Sequence, residues 1–205
     1  LDHANNNTLF SNLHYDYLSN YCTFSGSAIL SSTQKKFGTD AYYLNTSSEY
    51  VTLPGGLLNF GTGDFTVEFW VYPTESNTSY HSLFVISSPA AAIYYKNDTF
   101  IWYEASADRC VSSTSTINSW YHVAVCRASN VVSLYVNGTK SAATYSSSAN
   151  YSTTAALLGG NSLTSKSYID EIRITKGVAR YSDSFTPPSD VFYDPGNNYE
   201  IVQFS

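Results

Sequence analysis

The segment SYIDEIRITKG, Ser167 to Gly177, carries acids inside an apolar alternation. Successive side chains of a strand point to opposite faces, which groups Asp170 with Ile172 and Ile174 and sends Glu171 and Arg173 to the other side. On this reading Asp170 points into the core. An unpaired carboxylate in an apolar interior costs several kcal/mol or takes up a proton, so Asp170 needs a cation, a metal ion or several backbone N–H groups as partner.

Other chemistries find less support. Hydrolysis of a glycosidic bond with retention needs two carboxyl groups about 5 to 5.5 Å apart. No E-x-D-x-x-E run supplies them; Glu68 shares its face with Trp70 and Tyr72 and no second acid, while the adjacent Asp170 and Glu171 point apart. The four histidines, His3, His14, His81 and His122, form neither H-E-x-x-H nor H-x-H, and neither a G-x-S-x-G elbow nor a phosphate-cradling glycine loop is present. His122, alternating with Tyr121 and Val123, reads as a structural histidine. The three cysteines, Cys22, Cys110 and Cys126, lack metal-ligand spacing, and their odd number leaves at least one thiol unpaired within the chain. A Cys110–Cys126 bridge and buried reduced thiols both remain open. The expectation is a protein that is not an enzyme.

Aromatic content is the positive clue. Trp70, Tyr72, Tyr94 and Trp102, with Tyr95 and Tyr103, can form a platform whose ring faces meet the C–H groups of a sugar; filling the sandwich core is the competing use. Only 13% of the 205 residues are charged, and solubility is left to Ser, Thr, Asn and 19 tyrosines, as on an extracellular, cell or virion surface. The net charge of −6 and the lack of any Lys/Arg run exclude nucleic acid and disfavour membrane surfaces, since both need clustered cations. No apolar run is long enough for a spanning helix, so membrane insertion is not expected. Glycosylation sequons stand at Asn6, Asn45, Asn77, Asn97, Asn137 and Asn150. The chain opens at Leu1 without an initiator methionine, which leads to the expectation of a processed product or a segment of something longer.

The elements that position these groups are strands. Helical periodicity is nearly absent, and short alternating segments separated by Gly, Pro, Asn and Ser clusters recur. In DFTVEFWVYP, Phe65, Val67, Phe69 and Val71 share one face, and Pro73 ends the strand. WYHVAVCRASNVVSLYVNGTK reads as a hairpin turning near Ala128 to Asn130, with Asn137-Gly138 turning into a further strand near Lys140. A second hairpin is expected to turn around Ser106 to Asp108. The pattern predicts an all-β fold, a two-sheet sandwich or a jelly roll.

In order, LHYDY, KKFGTDAYYLNTSSEYVTLP, FGTGDFTVEFWVYP, SWYHVAVCR, VSLYVNG, YIDEIRITKGVARY and FTPP resemble the concanavalin A-like lectin/glucanase superfamily, and more narrowly its laminin-G-like "domain 3" type, found on phage, viral and bacterial surfaces. The resemblance spans about Leu9 to Pro188, making 1–188 one domain and 189–205 a C-terminal tail that packs on the same domain or on a neighbouring copy. It implies an all-β jelly-roll β-sandwich of two antiparallel sheets, used for glycan binding, adhesion or structural attachment. It also implies a structural calcium ion, placing Asp170 beside Asp16, Asn45 and Glu49, although Asn45 and Glu49 depart from the family's D-G-x-x-D-like turn. Calcium takes six to eight oxygen ligands. A salt bridge to Asp170, or loop backbone N–H groups, are the alternatives. Two roles follow: a non-catalytic module binding glycans or surface polysaccharide, or a structural subunit joined to other copies in a fibre or lattice through its terminal strands.

Overall fold

A computed structural model describes residues 22–54, 58–76, 78–152, 155–160, 162–192 and 200–204. The strands are, in chain order, β1 (Thr23–Ser25), β2 (Ile29–Ser31), β3 (Ala41–Leu44), β4 (Tyr50–Pro54), β5 (Asn59–Gly61) and β6 (Phe65–Pro73). There follow β7 (His81–Ile86), β8 (Ala91–Lys96), β9 (Thr99–Glu104), β10 (Ala107–Val111), β11 (Tyr121–Ala128) and β12 (Val131–Val136). The last are β13 (Thr139–Lys140), β14 (Tyr145–Ser146), β15 (Tyr151–Ser152), β16 (Ala155–Gly159), β17 (Ser167–Lys176) and β18 (Glu200–Phe204).

Two antiparallel sheets face each other. One runs β1-β4-β16-β7-β8-β9-β10; the other runs β13-β12-β11-β6-β17-β3-β2, with β14 beside β12 and β18 beside β17. Their inner faces interdigitate through Phe65, Val67, Phe69 and Val71 of β6, Val123 and Val125 of β11, and Phe84, Ile93, Phe100 and Trp102 of the opposite sheet. The alternation read in β6 is present. The hairpins are present as well: Ser129 and Asn130 turn at positive φ between β11 and β12, and Asn137 and Gly138 turn into β13. The β9–β10 turn lies at Ala105 and Ser106, slightly earlier than the sequence suggests.

The face assigned to Asp170 is corrected by the structure. Along β17 and β6, Tyr168 pairs with Tyr72 and Asp170 with Trp70, but the next pair is Arg173 with Glu68. Two residues, Glu171 and Ile172, thus stand opposite the single Phe69, and Glu171 takes a φ of 49°. This is a β-bulge, and one extra residue reverses the phase of everything beyond it. Ile169, Ile172 and Ile174 all belong to the core, whereas Asp170 shares the outer face with Tyr168 and Arg173. Strict alternation cannot put Ile169 and Ile172 on one face; the bulge does.

Along its other edge β17 is met end to end by two short strands. β3 pairs with Ser167 to Ile169, and β18 pairs with Ile172 to Lys176.

Candidate functional site

The outer face of the β6-containing sheet is divided into a covered part and an open part. Over the covered part runs the segment 178–192. Val178 and Arg180 clamp Thr66, whose hydroxyl donates to the Val178 carbonyl at 2.9 Å and accepts from the Arg180 N–H at 2.9 Å. Tyr181 and Phe185 stack at 3.5 Å between centroids and cover Ala124, Cys126 and Tyr135. Beneath them Glu68, fully buried, meets His122 Nε2 at 3.1 Å, accepts from Arg173 Nε at 2.8 Å and from the Tyr181 hydroxyl at 2.8 Å. Burial alone would raise the Glu68 carboxyl; the hydrogen bond from His122 and the charge and hydrogen bond of Arg173 outweigh it and hold the group at about 2. Farther along, the Phe192 N–H donates to Glu171 Oε2 at 2.8 Å and the Arg173 guanidinium lies 4.2 Å from the Phe192 ring centroid.

Asp170 is satisfied by backbone. Its Oδ2 accepts from the N–H groups of Lys36 and Phe37 at 2.8 and 3.1 Å, and its Oδ1 accepts from Glu171 N–H at 2.9 Å. Glu49 likewise accepts from Asn45 and Thr46 N–H at 2.6 and 3.1 Å. Both carboxylates face donors, whereas calcium requires a shell of oxygen acceptors. Among the described residues no group of three or more His, Cys, Asp or Glu side chains is gathered for a metal ion, so these residues do not fit a calcium cage; Asp16 lies outside the described residues.

Of the four proposed platform residues the structure leaves Tyr72 on an open surface. Trp102 is 0% exposed, its indole N–H donating to Glu104 Oε2 at 3.0 Å within the core, so it takes no part in a surface platform. Trp70, 6% exposed, is sealed by Lys36, whose Nζ lies 3.9 Å from the ring centroid, and by the edges of Phe37 and His122. Tyr94, 8% exposed, lies on the outer face of the other sheet against Tyr80 and Tyr103.

Tyr72 belongs to a row that sequence reading missed. Register places Tyr43, Tyr168 and Tyr72 opposite one another on β3, β17 and β6, and Trp120, just ahead of β11, meets Tyr72. All four are half-buried. Their centroids are 4.5 Å apart for Tyr43–Tyr168, 6.0 Å for Tyr168–Tyr72 and 5.5 Å for Tyr72–Trp120. Ile29, 52% exposed, extends the row from Tyr43 onto β2. Burial, then the neighbouring phenols of Tyr43 and Tyr72, raise the Tyr168 hydroxyl, so it stays neutral at physiological pH. Such rings offer apolar faces and neutral hydroxyls at one surface.

The remaining candidates fall elsewhere. Asn97 and Asn150 are exposed; Asn137 is exposed too, but its side-chain oxygen accepts from His122 N–H at 2.9 Å; Asn45 is half-buried. Asn6 and Asn77 lie outside the described residues. Cys22, Cys110 and Cys126 are free thiols, and burial pushes them up to about 12, 11 and 11, leaving them protonated and inert.

Residues 45–180 match the laminin-G-like family of the concanavalin A-like lectin/glucanases superfamily, and the chain belongs to that family. Solved structures share the fold. Domain 4 of AbnA, a GH43 extracellular arabinanase from Geobacillus stearothermophilus solved in complex with arabinotriose, aligns at a TM-score of 0.61 and 18% identity over 78% of this chain and 84% of that one. Trypanosoma rangeli sialidase in complex with 2,3-difluorosialic acid aligns at 0.63 and 15% identity, covering 84% of this chain but 29% of the sialidase. The binding domain of botulinum neurotoxin serotype G aligns at 0.56 and 14%, covering 81% and 45%. No curated protein sequence matches the chain significantly. Among the described residues no helix is long and apolar enough to cross a membrane.

Proposed function

We propose that this chain is a non-catalytic carbohydrate-binding module of an extracellular, cell-surface or virion-surface protein, with the Tyr43–Tyr168–Tyr72–Trp120 row as its contact surface. The single observation that carries this reading is the row itself: four half-buried aromatic rings side by side on a sheet on which Trp70 and Tyr135, also on the outer face, are covered. The fold shared with an arabinanase domain solved with arabinotriose supports it. The state of the acids supports a non-catalytic role, since Glu68 is locked in an ion pair and Asp170 and Glu49 are occupied by backbone N–H groups.

A glycan array followed by calorimetry tests the proposal. Tyr72→Ala and Trp120→Ala are expected to weaken binding by about 0.5–1.5 kcal/mol each, the contribution of one aromatic contact beyond its area. Binding that survives both substitutions unchanged places the contact elsewhere. Release of reducing ends from any polysaccharide in a hydrolysis screen removes the non-catalytic part.

A further inference from the structure

We infer that the row selects the interior of a linear, uncharged polysaccharide laid across the strands, in preference to a terminal sugar or an acidic glycan. This rests on the carbohydrate-binding reading and narrows it to a ligand class.

Direction comes from register. Tyr43, Tyr168 and Tyr72 occupy one position on each of three neighbouring strands, so the row runs perpendicular to the chain direction of the sheet. Four rings at strand spacing span about 14 Å, the length of about three sugar rings end to end. A pocket for a terminal sugar gathers polar groups around one ring; here the apolar faces are spread along a line, and the exposed Ile29 prolongs it. Contact is therefore shared by successive sugars.

Charge sets the class. The described ring contacts of the four aromatics are with one another and carry no ionised partner. Of the charged side chains beside the row, Lys166, two residues before Tyr168, stands 3.7 Å from Glu75; Asp170, two residues after Tyr168, accepts backbone N–H groups; and Lys36 lies 3.9 Å from the centroid of the neighbouring Trp70 ring. Both of these lysines are engaged, Lys166 with Glu75 and Lys36 with the Trp70 ring, while stripping water from a carboxylate needs a compensating cation and the net charge of −6 repels an acidic chain.

The test is a titration of the protein with neutral arabino-, xylo- and cello-oligosaccharides from monosaccharide to hexasaccharide, alongside oligogalacturonates and sialyllactose, after the array has ranked neutral against acidic glycans. Affinity is expected to rise by about tenfold or more from monosaccharide to trisaccharide in at least one neutral series and then level off, a tenfold step matching about one aromatic contact. Tyr43→Ala or Trp120→Ala removes one end of the row and brings the plateau to a shorter oligomer; Val111→Ser, at an exposed position on β10 of the other sheet, leaves the profile as it was. Equal affinity for monosaccharide and hexasaccharide, or binding confined to acidic glycans, overturns this inference while the carbohydrate-binding reading stands. Absence of binding to every glycan on the array overturns both.

Discussion

Asp170 and Trp70 face each other across β17 and β6, one residue before the bulge at Glu171, and the acid accepts three backbone N–H bonds, two of them from the loop that brings Lys36 over the Trp70 ring. The two residues therefore act as one device. Asp170 fixes the loop at Lys36 and Phe37, and the loop closes the sheet over Trp70, which leaves the next row, Tyr43 to Trp120, as the open aromatic surface.

Replacing Asp170 with Asn turns one acceptor into a donor facing donors. The loss of a charged acceptor with its partners left buried costs about 1–3 kcal/mol, read as a lower urea midpoint with an unchanged slope. Because the carboxylate is already satisfied by amides, the melting temperature of the unaltered chain is expected to be the same with calcium and with chelator. A calcium-dependent rise that disappears in Asp170→Asn would restore the metal at this position.

The two buried glutamates give the stability opposite pH slopes. Glu171, raised from 4.5 to about 7 chiefly by burial and further by Asp170 and Asp190, binds its proton more tightly folded than unfolded despite the Phe192 N–H bond and Arg173. Its contribution is then fully present below about 4.5 and lost as pH rises to about 7. Glu68, held at about 2, contributes above 4.5 and loses that contribution as pH falls toward 2. Thermal midpoints should peak near pH 4.5 to 5 and decline toward about pH 7. Glu171→Gln keeps an acceptor for Phe192 and should flatten the upper slope; a slope that persists in that variant refutes the assignment.

What can be read from the sequence is whatever depends on one strand at a time. The alternation of Phe65, Val67, Phe69 and Val71 follows from sterics within β6, and Asn137-Gly138 announces its turn by backbone preference alone. The side of Asp170 escapes such a reading because a bulge depends on pairing: it becomes visible only when Glu171 and Ile172 are set against Phe69. The platform escapes it for the same reason. Tyr43, Tyr168 and Trp120 are far apart in the chain and only register joins them, while Trp102 is drawn into the core by a buried acid, Glu104, which also accepts from Tyr151 at 2.7 Å. The one available signal is the tyrosine two residues before Asp170, on the same face.

The turn at Gly138 ties the covering segment to the sheet. Its φ of 76° is left-handed, its carbonyl accepts from Phe185 N–H at 2.9 Å, and a Cβ there would overlap the Phe185 carbonyl. Gly138→Ala should therefore cost more than the roughly 1 kcal/mol of backbone strain alone, because Phe185 must move off Tyr135. Hydrogen exchange of the Phe185 amide should rise by more than that of β6. An Ala variant as stable as the original would mean that the segment 178–192 is held without this contact.

β18 closes the edge of β17 from Ile172 to Lys176, beside the bulge. A chain ending at Tyr199 exposes that run of backbone N–H and C=O groups, and an unpaired edge recruits whatever strand is at hand. Two effects are expected together: a lower melting temperature, and self-association visible by sedimentation that is reversed when a peptide of sequence Glu200 to Phe204 is added in excess. If β18 instead serves to join neighbouring copies, the untruncated chain will be the one that associates and the truncated chain will be monomeric. The sign of the change on truncation separates a strand that caps its own sheet from one that builds a fibre.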